Sequence, residues 1–171
     1  SSALNPWEDN VTTARDLSIL IYHLLQKYSE ILAYTATAQY TVMAGTPYEE
    51  TFDTYNYSLP ELRYAYAGVD GLKTGSSQTG GFNISMTAQR DDLRLITVVL
   101  GVGDWANQEG EYLRQPFANA ALEYGFSQFE YQVVLKAGEH EINGQKVALV
   151  NDLYDTVRKD SDLSLQVSKD V

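Results

Sequence analysis

The sequence predicts an α+β fold, with helices packed on an antiparallel sheet, followed by part of a β-rich module. Three observations carry this: helical apolar spacing from residue 13, a strand–turn–strand pattern over 69–102, and short strand-like runs after Phe126. The composition suits a packed core, because 44% of the 171 residues are hydrophobic and 20% are charged. Twenty-three acids against twelve bases leave a formal charge of −11, which repels phosphate backbones, so no nucleic-acid partner is expected. The apolar runs fall short of the ~20 residues a membrane span needs. Ser1-Ser2-Ala3-Leu4 has neither the basic start nor the apolar run of a signal peptide. Without cysteine there is neither a disulfide nor a thiolate zinc site. Thirteen tyrosines stand out, concentrated between Tyr22 and Tyr66 among Thr and Asn. They hint at a polar-aromatic surface, although half-buried strand faces also favour tyrosine.

Thr13-Ala14-Arg15-Asp16 forms a capping box. Leu17, Leu20, Ile21, Leu24, Leu25 and Tyr28 follow at helical spacing, with His23 on the wetter side. A short second helix is expected over Ser29–Tyr34 and a strand over Gln39–Met43. Residues 44–67 show no sustained period and read as a long structured loop. Val69–Gly75 then reads as a strand, and Phe82–Gln89 and Leu93–Val102 as a hairpin around Arg90-Asp91-Asp92. The near-continuous apolar run Leu95–Leu100 predicts a central strand covered on both faces.

Residues 107–124 predict a helix with Tyr112, Leu113, Phe117, Ala120, Ala121 and Tyr124 on one side as its apolar face, a bend at Pro116 and a stop at Gly125. Gln132–Lys136, Lys146–Val150, Tyr154–Arg158 and Leu163–Val167 read as strands, with a hairpin turn at Asn143-Gly144. Four short strands make a thin core, and the chain ends at Lys169-Asp170-Val171 without a closing element. A truncated β module over 127–171 is therefore expected.

The sharpest chemical signal is Val69-Asp70-Gly71-Leu72-Lys73-Thr74-Gly75-Ser76-Ser77. A cation and a hydroxyl donor at a strand end, beside a glycine that lets a ligand lie against the backbone, suit a carboxylate-bearing substrate. A buried strand with a snorkelling lysine and a turn would explain the same residues. Strict alternation puts Lys73 and Thr74 on opposite faces, so their convergence needs twist or an edge position.

These nine residues resemble the Lys-Thr-Gly box of the penicillin-interacting serine enzymes. In its longer form the box is similar to that of the low-molecular-weight penicillin-binding proteins, the serine-type D-alanyl-D-alanine carboxypeptidases of Gram-positive-like type. Thr13–Leu17, Asn56, Gly80-Gly81-Phe82-Asn83, Arg90–Val102 and Tyr124-Gly125-Phe126 match the same pattern. The resemblance implies the C-terminal portion of a transpeptidase-like (β-lactamase-like) domain over 1–126, then the start of a β-rich domain over 127–171.

It also implies hydrolysis of the terminal D-alanine from peptidoglycan stem peptides through an acyl-serine, with acylation by β-lactams. Lys73 would assist the proton relay, Thr74 would hold the substrate carboxylate, and the Ser76 backbone N–H would be an oxyanion donor. Gly75 and Ser77 would complete the substrate-binding wall. The nucleophile and the relay serine are not in this chain, since no lysine follows a serine by three residues and Ser-x-Asn is absent. Thr54-Tyr55-Asn56 lies too close to the box to take the relay role, and Ser76 and Ser77 are poor substitute nucleophiles with no base beside them.

The implied partners are a stem peptide ending in D-Ala-D-Ala, β-lactam antibiotics, the N-terminal portion of the same protein, and a membrane surface reached through segments outside this chain. No cofactor or metal is implied, and the location is extracytoplasmic, at the outer face of the membrane or in the cell wall. Two alternatives remain: a class A-type β-lactamase, which would close with a helix on the same sheet, and a non-catalytic module gripping cell-wall peptides. Gly101-Val102-Gly103 lacks the third glycine of a dinucleotide fingerprint. His140 between Glu139 and Glu141 reads as a solvated charge cluster rather than a metal site.

Overall fold

The computed structural model describes residues 11–168. The leader and truncation readings rest on Ser1–Leu4 and Lys169–Val171, which lie outside the described residues. The chain divides into two compact units. The first holds the residues up to Arg90 with Arg94–Glu123, and the second holds Asp91–Leu93 with the chain from Tyr124 onward.

The first unit opens with α1 (Ala14–Lys27). Thr13 caps it as the sequence predicts: its hydroxyl accepts from the Asp16 amide at 3.1 Å and donates to the Asp16 carboxylate at 2.8 Å. Only Ile21 and Leu25 of its apolar stripe are buried, while Leu20 and Tyr28 are exposed. A 3-10 turn (Ser29–Ile31) leads into the single-turn α2 (Leu32–Thr35), in place of one short helix. The segment read as loop contains a strand. β1 (Gln39–Val42) pairs antiparallel with β2 (Glu50–Asp53), setting Tyr40 opposite Phe52 and Thr41 opposite Thr51.

β3 (Val69–Ser77), β4 (Gly81–Arg90) and β5 (Leu93–Val102) form an antiparallel sheet in the order β3-β4-β5. Its core is β4, where Phe82, Ile84, Met86 and Ala88 are all buried. β5 is not central. The described residues give it one neighbour, and Leu95, Ile96, Val98 and Val99 are only partly covered.

The last helix, α3 (Gly110–Gln128), runs through the expected stop at Gly125 and carries Pro116 inside it. Its buried face is also not the expected one. Gly110, Arg114, Gln115, Ala118 and Leu122 point inward, while Tyr112, Leu113, Phe117, Ala120, Ala121 and Tyr124 are exposed. The reason is chemical: this helix docks through side-chain hydrogen bonds rather than through its apolar stripe. The Gln115 amide donates to the Tyr55 carbonyl at 2.9 Å, and the Asn119 amide donates to the Tyr64 carbonyl at 2.9 Å. Gly110 must be glycine, because a Cβ there would lie 2.3 Å from the Val102 carbonyl oxygen and 2.4 Å from the Phe82 ring.

In the second unit β6 (Phe129–Leu135) pairs with β9 (Leu153–Arg158), and β7 (Gly138–Ile142) pairs with β8 (Gln145–Leu149). Asn143 and Gly144, both at positive φ, make the β7–β8 turn. β7 is a strand the sequence reading missed. The expected strand at Leu163–Val167 does not form, and no described strand pairs with it.

Candidate active site

Asp70, the second residue of the Lys-Thr-Gly segment, anchors the sheet rather than facing the site. Its carboxylate accepts two bonds from the Arg94 guanidinium, at 3.0 and 2.8 Å, and Arg94 also donates to Thr87 and Gln89. One fork therefore bridges all three strands. The Asp70 carbonyl accepts from the Thr35 hydroxyl at 3.0 Å. Gly71 lets α2 press in, since a Cβ would sit 2.6 Å from that same hydroxyl oxygen. Asn56 is buried and serves as a staple: its side-chain amide donates to the Gly71 carbonyl at 3.0 Å, and its side-chain oxygen accepts from the Ser58 amide.

Beyond these anchors Lys73, Thr74, Gly75 and Ser76 line one cavity of about 350 Å³, together with Tyr55, Phe82, Trp105, Gln108, Glu111 and Arg114. Lys73 and Thr74 meet there although they are neighbours on a strand. β3 is an edge of the described sheet, and one side of its backbone has no strand partner there. Lys73 Nζ bends back to donate to the Thr74 carbonyl. Nothing lies within 4 Å of a Cβ built on Gly75, so that stretch of backbone is open for a ligand to approach. Ser77 lies off this cavity, where its hydroxyl accepts from the Gly80 amide at 2.9 Å and closes the turn into β4.

Arg114 is a cavity-lining side chain that the sequence analysis does not single out. It is 1% exposed, and its Nη1 donates to the Ser76 hydroxyl at 3.0 Å, the Asn83 carbonyl at 3.3 Å and the Gly75 carbonyl at 3.4 Å. Its buried Nε has no partner among the described residues. Burial pulls the Arg114 pKa down, and the Glu111 charge opposes that. Glu111 is held in turn by the Tyr57 hydroxyl at 2.9 Å. Two cations against one carboxylate make the cavity locally positive in a chain of net charge −11. The only sequence signal for Arg114 is that it is the one basic residue of this helix.

Asn83 locks the far end of the strand. Its amide donates to the Gly80 and Gly81 carbonyls at 3.1 Å, and its side-chain oxygen accepts from the Gly101 amide at 2.8 Å. Trp105 stacks on Phe82 with centroids 5.4 Å apart and so shapes the cavity rim. His140 is remote in sequence from these groups, and its Nε2 lies 2.7 Å from the Lys136 carbonyl oxygen. Among the described residues no three His, Asp or Glu side chains converge to hold a metal ion. No helix there is long and apolar enough to cross a membrane.

Residues 4–104 match the family described as D-alanyl-D-alanine carboxypeptidase. The chain belongs to the D-alanyl-D-alanine carboxypeptidase family. Residues 131–171 separately match a domain of unknown function. The D-alanyl-D-alanine carboxypeptidase DacA of Haemophilus influenzae is 30% identical over 142 residues, which cover 80% of this chain and 31% of that protein. The chain thus spans under a third of that carboxypeptidase.

Among solved structures, the peptidoglycan synthesis regulatory factor PBP3 of Streptococcus pneumoniae is 27% identical with a TM-score of 0.69, covering 88% of this chain and 43% of that one. Penicillin-binding protein D2 of Listeria monocytogenes, in its ampicillin-bound form, is 25% identical with a TM-score of 0.52, covering 68% of this chain and 44% of that one. The carboxypeptidase fold is thus the α+β fold expected from the sequence.

Proposed function

We propose that this chain forms one wall of the active site of a serine D,D-carboxypeptidase that removes the terminal D-alanine from peptidoglycan stem peptides. The observation that carries the reading is the shared cavity of Lys73, Thr74, Gly75 and Ser76, backed by the buried Arg114 cation. An anionic peptide end suits a pocket with this charge balance.

In this reading the Thr74 hydroxyl holds the substrate carboxylate, and Arg114 strengthens the field around it and braces Ser76. The Ser76 N–H is one of two oxyanion donors, a contribution of about 3–4 kcal/mol to the transition state. Lys73 supports the proton relay. The serine nucleophile, outside this chain, attacks the penultimate carbonyl and forms an ester while D-alanine leaves with the relayed proton. Water then hydrolyses the ester. A β-lactam follows the same first step but opens its ring instead of releasing a group. The enzyme works outside the cytoplasmic membrane, with residues 1–126 in the catalytic domain and 127–171 in a second, β-rich domain.

The β-lactamase alternative expects a closing helix in the tail. The described residues from Phe129 onward hold strands and connections only, which favours the carboxypeptidase. The test is labelling of the intact protein with a fluorescent penicillin, read on a gel and by mass. Lys73→Ala is expected to slow labelling at least about 100-fold, and the isolated 171-residue chain is expected to gain no mass. A β-lactam adduct on the isolated chain, or unchanged labelling of the variant, would overturn the proposal.

A further inference from the structure

The tyrosine-rich stretch is not used up by the catalytic wall. Around the β1–β2 hairpin it leaves several rings facing solvent: Tyr40 and Phe52 sit opposite each other in register and are 64% and 51% exposed, and Tyr55 follows at 58%. Phe52, Tyr55 and Tyr57 line a cavity of about 580 Å³, joined there by Thr51, Asp53 and Thr54. The Tyr55 and Tyr57 rings are tilted at 58° with centroids 6.5 Å apart, so they form two walls of a corner rather than one flat plate. Tyr55 also lines the Lys73–Thr74 cavity, so the two cavities share a wall.

We propose that this corner is a carbohydrate subsite, which holds the uncharged amino-sugar chain of the polymer whose peptide arm enters the Lys73–Thr74 cavity. The proposal rests on the carboxypeptidase reading for the identity of the polymer, but not for the chemistry of the corner. A pyranose has an apolar C–H face and a rim of hydroxyl and amide groups. Aromatic rings with a polar tip suit the face, and short hydroxyls and a carboxylate suit the rim.

Asp53 is already oriented, because one of its oxygens accepts from the Gln39 amide at 2.8 Å, and an ionised carboxylate keeps acceptor capacity beyond that bond. The hydroxyls of Thr41 and Thr51, 2.8 Å apart across the hairpin, set the register that presents Phe52. Charge selects among polymers. Glu49, Glu50, Asp53 and Glu61 are all exposed on this segment and repel a polyanion such as a glycerol-phosphate chain, while a neutral sugar meets no such barrier. Continuity through Tyr55 supplies the geometry, because a polymer-borne peptide needs its backbone held close to where the arm is cut.

The test uses the intact protein and a peptide-free tetramer of N-acetylglucosamine, followed by amide chemical-shift changes in an NMR titration. A dissociation constant of roughly 1 mM is expected for so open a site, with shifts clustered over residues 38–57. Phe52→Ser should weaken binding at least about tenfold and Asp53→Asn about threefold, while Lys73→Ala leaves it unchanged. Unchanged melting of Asp53→Asn keeps the test valid if Phe52→Ser loosens the hairpin. In turnover, Phe52→Ser should raise KM for a glycan-linked peptide and leave it unaltered for the free peptide.

No binding of the tetramer, binding unaffected by both hairpin variants, or equal binding of poly(glycerol phosphate) would overturn the subsite. Failure of the carboxypeptidase reading looks different: neither peptide substrate is cleaved, yet the sugar titration still reports on the corner.

Discussion

Arg114 and Tyr57 show how single residues set the character of this site. A buried guanidinium is tolerated where its bonds go to fixed acceptors, and Arg114 has the Ser76 hydroxyl and two carbonyls. Its charge is moderated by Glu111, which the Tyr57 hydroxyl holds. Burial, reinforced by the Glu111 bond, pushes Tyr57 up to about 12 from the ordinary 10.0. Burial and the short bond to Glu123 do the same to Tyr66, also to about 12. The sign of the pH dependence follows. Below the ordinary value both states keep the phenolic proton, and this stabilisation is complete. As pH rises from about 10 to about 12 the unfolded chain sheds protons that the folded chain retains, so stability falls across that window. Melting curves between pH 9 and 12 should therefore drop less steeply for Tyr57→Phe combined with Tyr66→Phe than for the unaltered chain. Equal slopes would remove these two hydroxyls from the account.

At the scale of elements, close approach decides what packs where. α3 begins at Gly110 against the end of β5 and the Phe82 ring, with no space for a methyl group. Gly110→Ala is expected to cost about 2–4 kcal/mol in urea unfolding and to slow penicillin labelling of the intact protein, because the same helix carries Arg114. A cost below about 1 kcal/mol would mean that the helix start shifts freely. The hairpins follow simpler rules. Asn143-Gly144 was readable as a turn because both residues adopt the positive φ that such a turn requires. β2 was not readable, because Glu50–Asp53 has no sustained apolar alternation and all four residues are exposed. It exists because β1 offers it a ladder of backbone hydrogen bonds.

Across the whole molecule the −11 charge is spread over both units, so like charges repel within each. Arg94–Asp70 and the longer Arg90–Glu123 contact are the salt bridges found among the described residues. Raising NaCl from 20 to 200 mM should accordingly lift the melting midpoint by about 2–4 °C, the equivalent of about 1 kcal/mol. A fall would mean that attractive pairs dominate. The capped first helix, the β4–β5 hairpin, the mixed α+β class and the Lys-Thr-Gly segment were all legible in the sequence, because each depends on local spacing and on turn or cap chemistry. The inward face of α3 was not. Hydrophobicity alone pointed to Leu113 and Phe117, whereas the helix turns Arg114 and Gln115 inward to meet carbonyls and hydroxyls over thirty residues away in the chain. The sequence by itself determined the Lys73-Thr74-Gly75-Ser76 run at the site and the strand that carries it. Only the tertiary structure decided that Lys73 and Thr74 share a cavity, that Arg114 stands behind them, and that Tyr55 joins that cavity to an aromatic neighbour. The physical reason is that these pairings depend on which buried polar groups must find partners once the chain is compact.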